Sequence, residues 1–290
     1  MLRVWILAIR PKTLWASISP VLLGTAMAAH AGRFNLLMAL ACLAFSVLVQ
    51  IGTNFTNDYC DFFKGADTAD RKGPLRVTQA GLVAPGTMLR ATIFVFVLAG
   101  LMGLILMETG GWPLGVICAI SILSGILYTA GPYPLGYYGW GDIFVLIFFG
   151  PVAVGLTYFV QAGELPLYVL VGGLAPGLLS TAILAVNNLR DIDGDARCGK
   201  RTLAVRFGVT FARLEYLLCI LGAGWTSLFL IFAFDAPSPL LATLAIIPLA
   251  IPTTKKVWSS TEGAVLNQAL GDTGKLLPVY TLLYAIGLML

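Results

Sequence analysis

Nine predominantly apolar stretches alternate with short polar segments along the chain, and most are long enough to cross about 30 Å of hydrocarbon as a helix. The eighth and ninth are short, and Pro248 lies in the eighth. The pattern predicts an all-α polytopic membrane protein, a bundle of nine transmembrane helices forming one domain over residues 1–290. The predicted spans are 14–29, 36–53, 87–107, 113–129, 143–160, 167–187, 211–234, 240–253 and 276–290.

Composition narrows the class of protein. Charged residues make up 11% of the 290 residues, whereas an ordinary soluble domain carries about 25%. This excludes a cytosolic enzyme, a disordered chain and a secreted disulfide scaffold. The five cysteines form no CxxC pair, and His30 is the single histidine, so thiolate metal cages and histidine-based catalysis are also excluded.

The positive charges predict an orientation. With the N-terminus inside, every Lys and Arg of the 18 except Arg33 falls in a segment on the cytoplasmic side, as the positive-inside rule expects. We therefore expect a cytoplasmic N-terminus and a C-terminus outside. The net charge of +4 reflects this anchoring and does not indicate nucleic-acid binding.

Acidic residues gather after the second and sixth spans. At about 100° per residue, Asn54, Asp58 and Asp61 share one face of a helix, and Asn187, Asp191 and Asp195 share another; Asp193 points away. Carboxylate oxygens shared with substrate phosphates are typical of Mg²⁺ sites. Nearby cations suit phosphate oxygens: Lys12, Arg71, Arg76, Lys200 and Arg201.

These motifs resemble the UbiA superfamily of intramembrane aromatic prenyltransferases, on the sequence NDYCD at 57–61 and the pair Asp191 and Asp195. Many members carry another Asp four residues after the position of Asp61. This chain has Gly65 there and Asp67 two residues later. That departure indicates the 1,4-dihydroxy-2-naphthoate polyprenyltransferase branch, as do the runs at 8–14, 71–81, 187–191 and 199–203.

The resemblance implies a helical bundle around a central cavity and a Mg²⁺-dependent reaction at the cytoplasmic side of a bacterial inner membrane. A polyprenyl diphosphate ionises there, and its prenyl group joins 1,4-dihydroxy-2-naphthoate with loss of carbon dioxide and diphosphate, giving demethylmenaquinone. Membrane lipid surrounds the site, because the long tail needs an apolar cavity open to it.

Residue roles follow from the motifs and the resemblance together. The expected metal ligands are Asp58, Asp61, Asp67, Asp191 and Asp195. The expected diphosphate-binding residues are Lys12, Arg71, Arg76, Lys200 and Arg201, supported by Asn54, Asn57, Asn187 and Asn188. The family places aromatic residues near the allylic cation, which makes Tyr128 and Tyr133 candidates. We interpret Tyr137, Tyr138 and Trp140 as interface anchors.

Two alternatives remain open. A 4-hydroxybenzoate or other aromatic prenyltransferase of the same superfamily would share the acidic motifs, although the Gly65 and Asp67 pattern argues against it. A cation transporter would also carry membrane carboxylates. Against a transporter, the acids crowd onto one side of the membrane, while Glu108, Glu164 and Asp235 lie at outer ends.

Overall fold

The chain folds into helices that run back and forth across one bundle. The computed structural model describes residues 2–65 and 72–290. In that part, the α-helices are α1 (Leu2–Ile9), α2 (Pro11–His30), α3 (Leu36–Phe63), α4 (Pro85–Gly110), α5 (Trp112–Leu127), α6 (Gly141–Ile147), α7 (Ala153–Ala162), α8 (Leu167–Arg197), α9 (Leu203–Phe234), α10 (Ile246–Ser259) and α11 (Gly263–Met289).

Two helices continue well beyond the apolar windows that predicted them. Helix α3 runs on to Phe63 and α8 to Arg197, so both acidic motifs lie on helix rather than in loops. Helices α6 and α7 are joined by a π-helical turn at Phe148–Val152, which contains Pro151. A proline removes one helical hydrogen bond and crowds the preceding turn, which accounts for the irregular turn at this point.

The structure reproduces the membrane class but not the count of nine. Six helical stretches are long and apolar enough to cross a membrane, or seven if α1 and α2, bent by 54° at Arg10, count as one span. Helix α5 has 16 residues and is shorter than these spans. The first half of α11 carries Asp272 and Lys275, which lower its mean hydropathy. Within the described residues the protein is therefore all-helical, with six or seven such spans.

The outer surface of the bundle is apolar. Large side chains such as Phe94, Leu218 and Phe232 are more than half exposed, and patches of this kind in water would favour aggregation. Inside, polar groups link neighbouring helices: Tyr280 bonds Ser227 across α11 and α9, and Tyr216 bonds Thr273. An apolar exterior over hydrogen-bonded helix contacts is typical of proteins in lipid.

Glycines let the turn after α6 approach α8 closely. A Cβ on Gly173 would lie 2.8 Å from the Cα of Pro151, and one on Gly150 would lie 2.8 Å from the Gly173 carbonyl oxygen. Any larger residue would therefore separate the two backbones. The contact places Phe148 and Phe149 beside α8, where they line a cavity.

Candidate active site

A cavity of about 640 Å³ lies among α2, α3, α5, α6, α7 and α8. Its polar part is lined by Asp61, Arg76, Asp191, Asp195 and Lys200, and its apolar part by Phe45, Val49, Phe144, Phe148 and Leu156. About 24 Å of helix axis separates Phe45 from Asp61 on α3. The cavity is therefore long, charged at one end and apolar at the other.

The two acidic motifs meet at the charged end. The Lys200 ammonium lies 3.6 Å from Asp61 on α3 and 3.8 Å from Asp195 on α8. The same Asp61 oxygen lies 3.7 Å from the Arg76 guanidinium. Gly199 makes this possible, because its φ of +75° turns the chain sharply after α8. The carboxylates of the two helix ends thus share one cation.

Tyr137 organises this end of the cavity, contrary to its expected role as an interface anchor. Its hydroxyl donates a 2.7 Å hydrogen bond to Asp61. Two ammonium groups contact its ring, with Lys64 4.5 Å and Lys200 4.6 Å from the ring centroid. Its carbonyl accepts from the Arg201 amide at 2.7 Å, which fixes the loop over the site. Tyr138 and Trp140 are exposed, 39% and 53%.

Asp58 is buried but does not line the cavity. Its two carboxylate oxygens accept hydrogen bonds from the amides of Val77 and Thr78, at 3.3 and 3.0 Å. These bonds hold the segment that carries Arg76 against α3. The helical stripe predicted that Asp58 faces the metal together with Asp61. The structure directs its carboxylate to the backbone of the next segment, and a role as metal ligand stays a prediction.

The asparagines of the first motif line the cavity, yet their amides are used within the protein. Asn54 donates hydrogen bonds of 2.9 Å to the Ile9 carbonyl and 3.3 Å to the Thr13 hydroxyl. Asn57 accepts a hydrogen bond from the Thr129 hydroxyl. Asn54 therefore fixes the start of α2 beside α3. Both residues lie where the sequence placed them, as neighbours of the acids.

In the second motif, Asp191 is paired with the residue before it. Arg190 is 1% exposed and donates to both Asp191 oxygens, at 2.9 and 2.5 Å. The same guanidinium donates a 2.8 Å hydrogen bond to Asn187, whereas Asn188 donates a 3.5 Å hydrogen bond to Asp142. Asn187, Asn188 and Asp191 all line the cavity.

Several predicted site residues are not brought into the cavity lining. Lys12 and Arg201 are exposed, and Tyr133 is 76% exposed. Lys12 is the second residue of α2, just after the bend, and Tyr133 lies in an exposed turn before Pro134. Asp67 and Arg71 fall outside the described residues, so their predicted roles stay predictions. Tyr128, by contrast, lines the cavity.

The electrostatic environment acts on two groups at this end. Burial raises the pKa of the Tyr128 phenol, and the carboxylates of Asp142, Asp195 and Asp61 raise it further. Tyr128 therefore stays a neutral phenol at physiological pH. Partial burial lowers the pKa of Lys64, whose ammonium donates 2.5 Å to the Thr129 carbonyl.

The carboxylates do not form a preassembled metal cage. Across residues 2–65 and 72–290, no three His, Cys, Asp or Glu side chains are grouped so as to hold an ion. Asp61 and Asp195 are each paired with Lys200, and Asp191 is paired with Arg190. A metal at this end would need further oxygen ligands from a bound anion.

The sequence did not assign Arg10, Lys72 or Arg190 to the site, although each lines the cavity. Arg10 adopts a left-handed backbone conformation (φ 56°) at the α1–α2 bend and donates 3.3 Å to the Asn54 carbonyl. The dipeptide Arg10–Pro11 before an apolar run was the available signal, since proline restricts the residue that precedes it. Lys72 pairs with Asp193 at 3.3 Å, and nothing in the sequence indicated this.

Known proteins match the chain in both sequence and fold. The profile of the UbiA prenyltransferase family covers residues 17–270. The 1,4-dihydroxy-2-naphthoate octaprenyltransferase of Escherichia coli (strain K12) is 37% identical over 99% of this chain and 96% of its own length. The protein of that name from Mycobacterium tuberculosis is 38% identical over 97% and 95%.

A solved structure shows the same fold. It is a UbiA homolog from Archaeoglobus fulgidus bound to GPP and Mg²⁺, with a TM-score of 0.69, 12% identity, and coverage of 99% of this chain and 100% of that one. The expected all-helical membrane fold and the resemblance drawn from the two acidic motifs are thus confirmed. The chain belongs to the UbiA prenyltransferase family.

Proposed function

We propose that the protein transfers a polyprenyl group from its diphosphate to 1,4-dihydroxy-2-naphthoate, with loss of carbon dioxide and diphosphate, in menaquinone biosynthesis. Two relatives named 1,4-dihydroxy-2-naphthoate octaprenyltransferase are 37% and 38% identical to this chain, and the similarity covers nearly their whole length. The observation that carries the proposal is the meeting of two acid-bearing helix ends at Lys200, at the charged end of a long apolar cavity.

The charged end fits the diphosphate. Arg76, 9% exposed, and Lys200, 17% exposed, line it, and cations of this kind donate charge-assisted hydrogen bonds to phosphate oxygens. Burial strengthens these bonds, because less water competes for the charges. We assign both residues to the diphosphate. Arg71 remains a predicted contributor, whereas the exposure of Lys12 and Arg201 argues against a direct role.

Magnesium fits the donor set. The cavity offers the hard oxygens of Asp61, Asp191 and Asp195, and Mg²⁺ is usually held by one or two carboxylates together with waters and substrate phosphates. This agrees with the absence of a preassembled cage in the described residues. When bound, Mg²⁺ neutralises charge that develops on the departing diphosphate. Asp67 remains a predicted ligand, and Asp58 supports the site by holding the Arg76 segment.

The apolar part suits the prenyl chain and the ring. Side chains such as Phe45 and Val49 on α3, with Phe148 opposite, present no hydrogen-bonding group to the tail. Tyr128 lies near the charged end as a neutral phenol with a π face, and such a face stabilises a nearby cation. Exclusion of water here protects the allylic cation until the ring carbon attacks it.

We further propose one domain over residues 1–290 in a bacterial inner membrane, with the charged end of the cavity at the cytoplasmic face. Arg10 contacts Asn54 at that end, whereas His30, at the other end of α2, bonds the Leu288 carbonyl at 2.8 Å. The two ends of the chain therefore lie on opposite faces of the bundle. This supports a cytoplasmic N-terminus and an external C-terminus, which terminal reporter fusions would test.

The choice of aromatic acceptor is tested by supplying two compounds in parallel reactions. Purified protein receives Mg²⁺, a polyprenyl diphosphate, and either 1,4-dihydroxy-2-naphthoate or 4-hydroxybenzoate, and mass spectrometry identifies the products. We expect a prenylated, decarboxylated product from the naphthoate alone. Prenylation of the benzoate would favour the alternative prenyltransferase. Cation movement into sealed vesicles without consumption of prenyl diphosphate would favour a transporter.

A further inference from the structure

Arg190 is the largest fully buried side chain among the described residues, and the reaction proposed above gives it no role. Burial of a guanidinium is unfavourable unless its charge and its donors are satisfied. Each of its three nitrogens donates to a side-chain oxygen: Nε and Nη2 to Asp191, Nη2 to Asn187 and Nη1 to Asn267. The structure therefore holds Arg190 in one orientation.

The fork that Arg190 makes with Asp191 restricts the carboxylate. Both Asp191 oxygens are engaged, at 2.9 Å by Nε and at 2.5 Å by Nη2, which is the bidentate geometry that fixes a carboxylate plane. This fork uses two of the roughly four lone-pair sites of the carboxylate. Asp191 lines the cavity, and its orientation there is set by the residue before it.

Asn267 links this pair to the rest of the site. Its Oδ1 accepts a 2.8 Å hydrogen bond from Arg190, and its Nδ2 donates a 2.7 Å hydrogen bond to the Lys72 carbonyl. Lys72 opens the segment that leads to Arg76, and its ammonium pairs with Asp193. One asparagine on α11 thus joins the second acidic motif to the segment that carries a diphosphate-binding cation.

We propose that Arg190 and Asn267 are positioning residues, which hold the Asp191 carboxylate in the orientation that a metal–diphosphate complex requires. The inference rests on the proposed function and extends it to a helix, α11, that otherwise supplies no polar group to the reaction. Partners that orient metal ligands from behind typically change metal affinity 10–100-fold when they are mutated. A positive charge alone cannot orient the carboxylate, because lysine lacks the planar guanidinium that donates two parallel hydrogen bonds to it.

The test uses the purified full chain, Mn²⁺ as the probe and inorganic pyrophosphate at saturation, with bound Mn²⁺ followed by electron paramagnetic resonance. Arg190→Lys keeps the charge and removes the fork, and Asn267→Leu removes both amide contacts while leaving Arg190 in place. The matched control is Arg213→Lys, because Arg213 donates to the carbonyls of Val257 and Ser260 outside the cavity lining. Melting temperature reports folding of each variant.

We expect Arg190→Lys and Asn267→Leu to weaken Mn²⁺ binding about tenfold or more, and Arg213→Lys to leave it unchanged. The KM for prenyl diphosphate should rise in both test variants while the KM for the naphthoate stays constant. Unchanged Mn²⁺ affinity in a folded Asn267→Leu protein would overturn the inference. A rise in the naphthoate KM alone would also overturn it, since Arg190 would then contact the acceptor. If the unaltered protein binds no Mn²⁺ with pyrophosphate, the proposed function fails first.

Discussion

The Tyr137 hydroxyl donates a 2.7 Å hydrogen bond to the Asp61 carboxylate, across the gap between the loop after α5 and the end of α3. The ammonium groups of Lys64 and Lys200 both lie against the tyrosine ring. One side chain therefore orients an acid of the first motif and contacts two cations through its π face. The site depends on this loop as well as on the two acidic helix ends.

Tyr137→Phe should lower kcat/KM for prenyl transfer about tenfold or more. The substitution keeps the ring in contact with both lysines and removes a hydrogen bond to a charged group, which contributes about 1.5–3 kcal/mol. Steady-state kinetics with varied prenyl diphosphate measures the effect. Tyr138→Phe is the matched control, because Tyr138 is 39% exposed in the same loop. Equal loss in both variants would show that the loop, and not the Asp61 contact, is affected.

Asp58 and Asp61 should respond differently to the same substitution. Asp61→Asn removes a cavity carboxylate and should abolish turnover. Asp58→Asn keeps an oxygen acceptor for one of the two amides of Val77 and Thr78 and should retain measurable activity. Asp58→Ala leaves both buried amides unpaired, at a cost of about 1–3 kcal/mol each. Turnover and limited proteolysis at residues 72–84 measure the two effects. Complete loss in Asp58→Asn without faster cleavage would restore Asp58 as a metal ligand.

The apolar part of the cavity should limit the prenyl chain. Val49→Trp adds bulk between the charged end and Phe45, so long prenyl diphosphates should react more slowly while short ones are used normally. Competition between a short and a long diphosphate, with mass spectrometry of the products, measures the ratio. Val97→Trp, on the lipid-facing side of α4 and 56% exposed, is the control. A normal product ratio in Val49→Trp would place the tail elsewhere.

Removal of divalent cations should stop the reaction. Chelation with EDTA should end product formation, and Mg²⁺ added in excess should restore it, because the carboxylates alone cannot neutralise the leaving diphosphate. Product formation over time in chelator measures this. Full activity in EDTA would contradict the metal step, while the integrity of the protein is checked by its recovery with Mg²⁺.

The sequence predicted the elements that carry the site better than the directions of the side chains. Seven of the nine apolar windows lie wholly within a helical stretch, and the windows 113–129 and 276–290 pass the end of theirs by two residues and one residue. Both acidic motifs lie on helix, because hydrophobic periodicity and helix geometry are local properties. Asp61, Asp191 and Asp195 line the cavity as the stripes indicated. The span count was less exact, since α5 is short and the first half of α11 carries Asp272 and Lys275.

The pattern of apolar and polar residues did not predict contacts between segments that are far apart in the chain. Asp58 shares the helical stripe of Asp61, yet the amides of Val77 and Thr78 capture it. Tyr137 is of a residue type that is common at membrane interfaces. It reaches Asp61 only because its loop folds over α3. Arg190 and Asn267 lie on different helices, and no local feature of the sequence pairs them.

The central claim is that both acidic helix ends form one metal–diphosphate site. Mn²⁺ binding in the presence of inorganic pyrophosphate tests it most directly, measured on the unaltered protein, on Asp61→Asn, on Asp195→Asn and on the double variant. The account predicts that either single substitution abolishes tight binding and that the double variant loses nothing further. Tight binding in one single variant, or two losses that simply add, would contradict it.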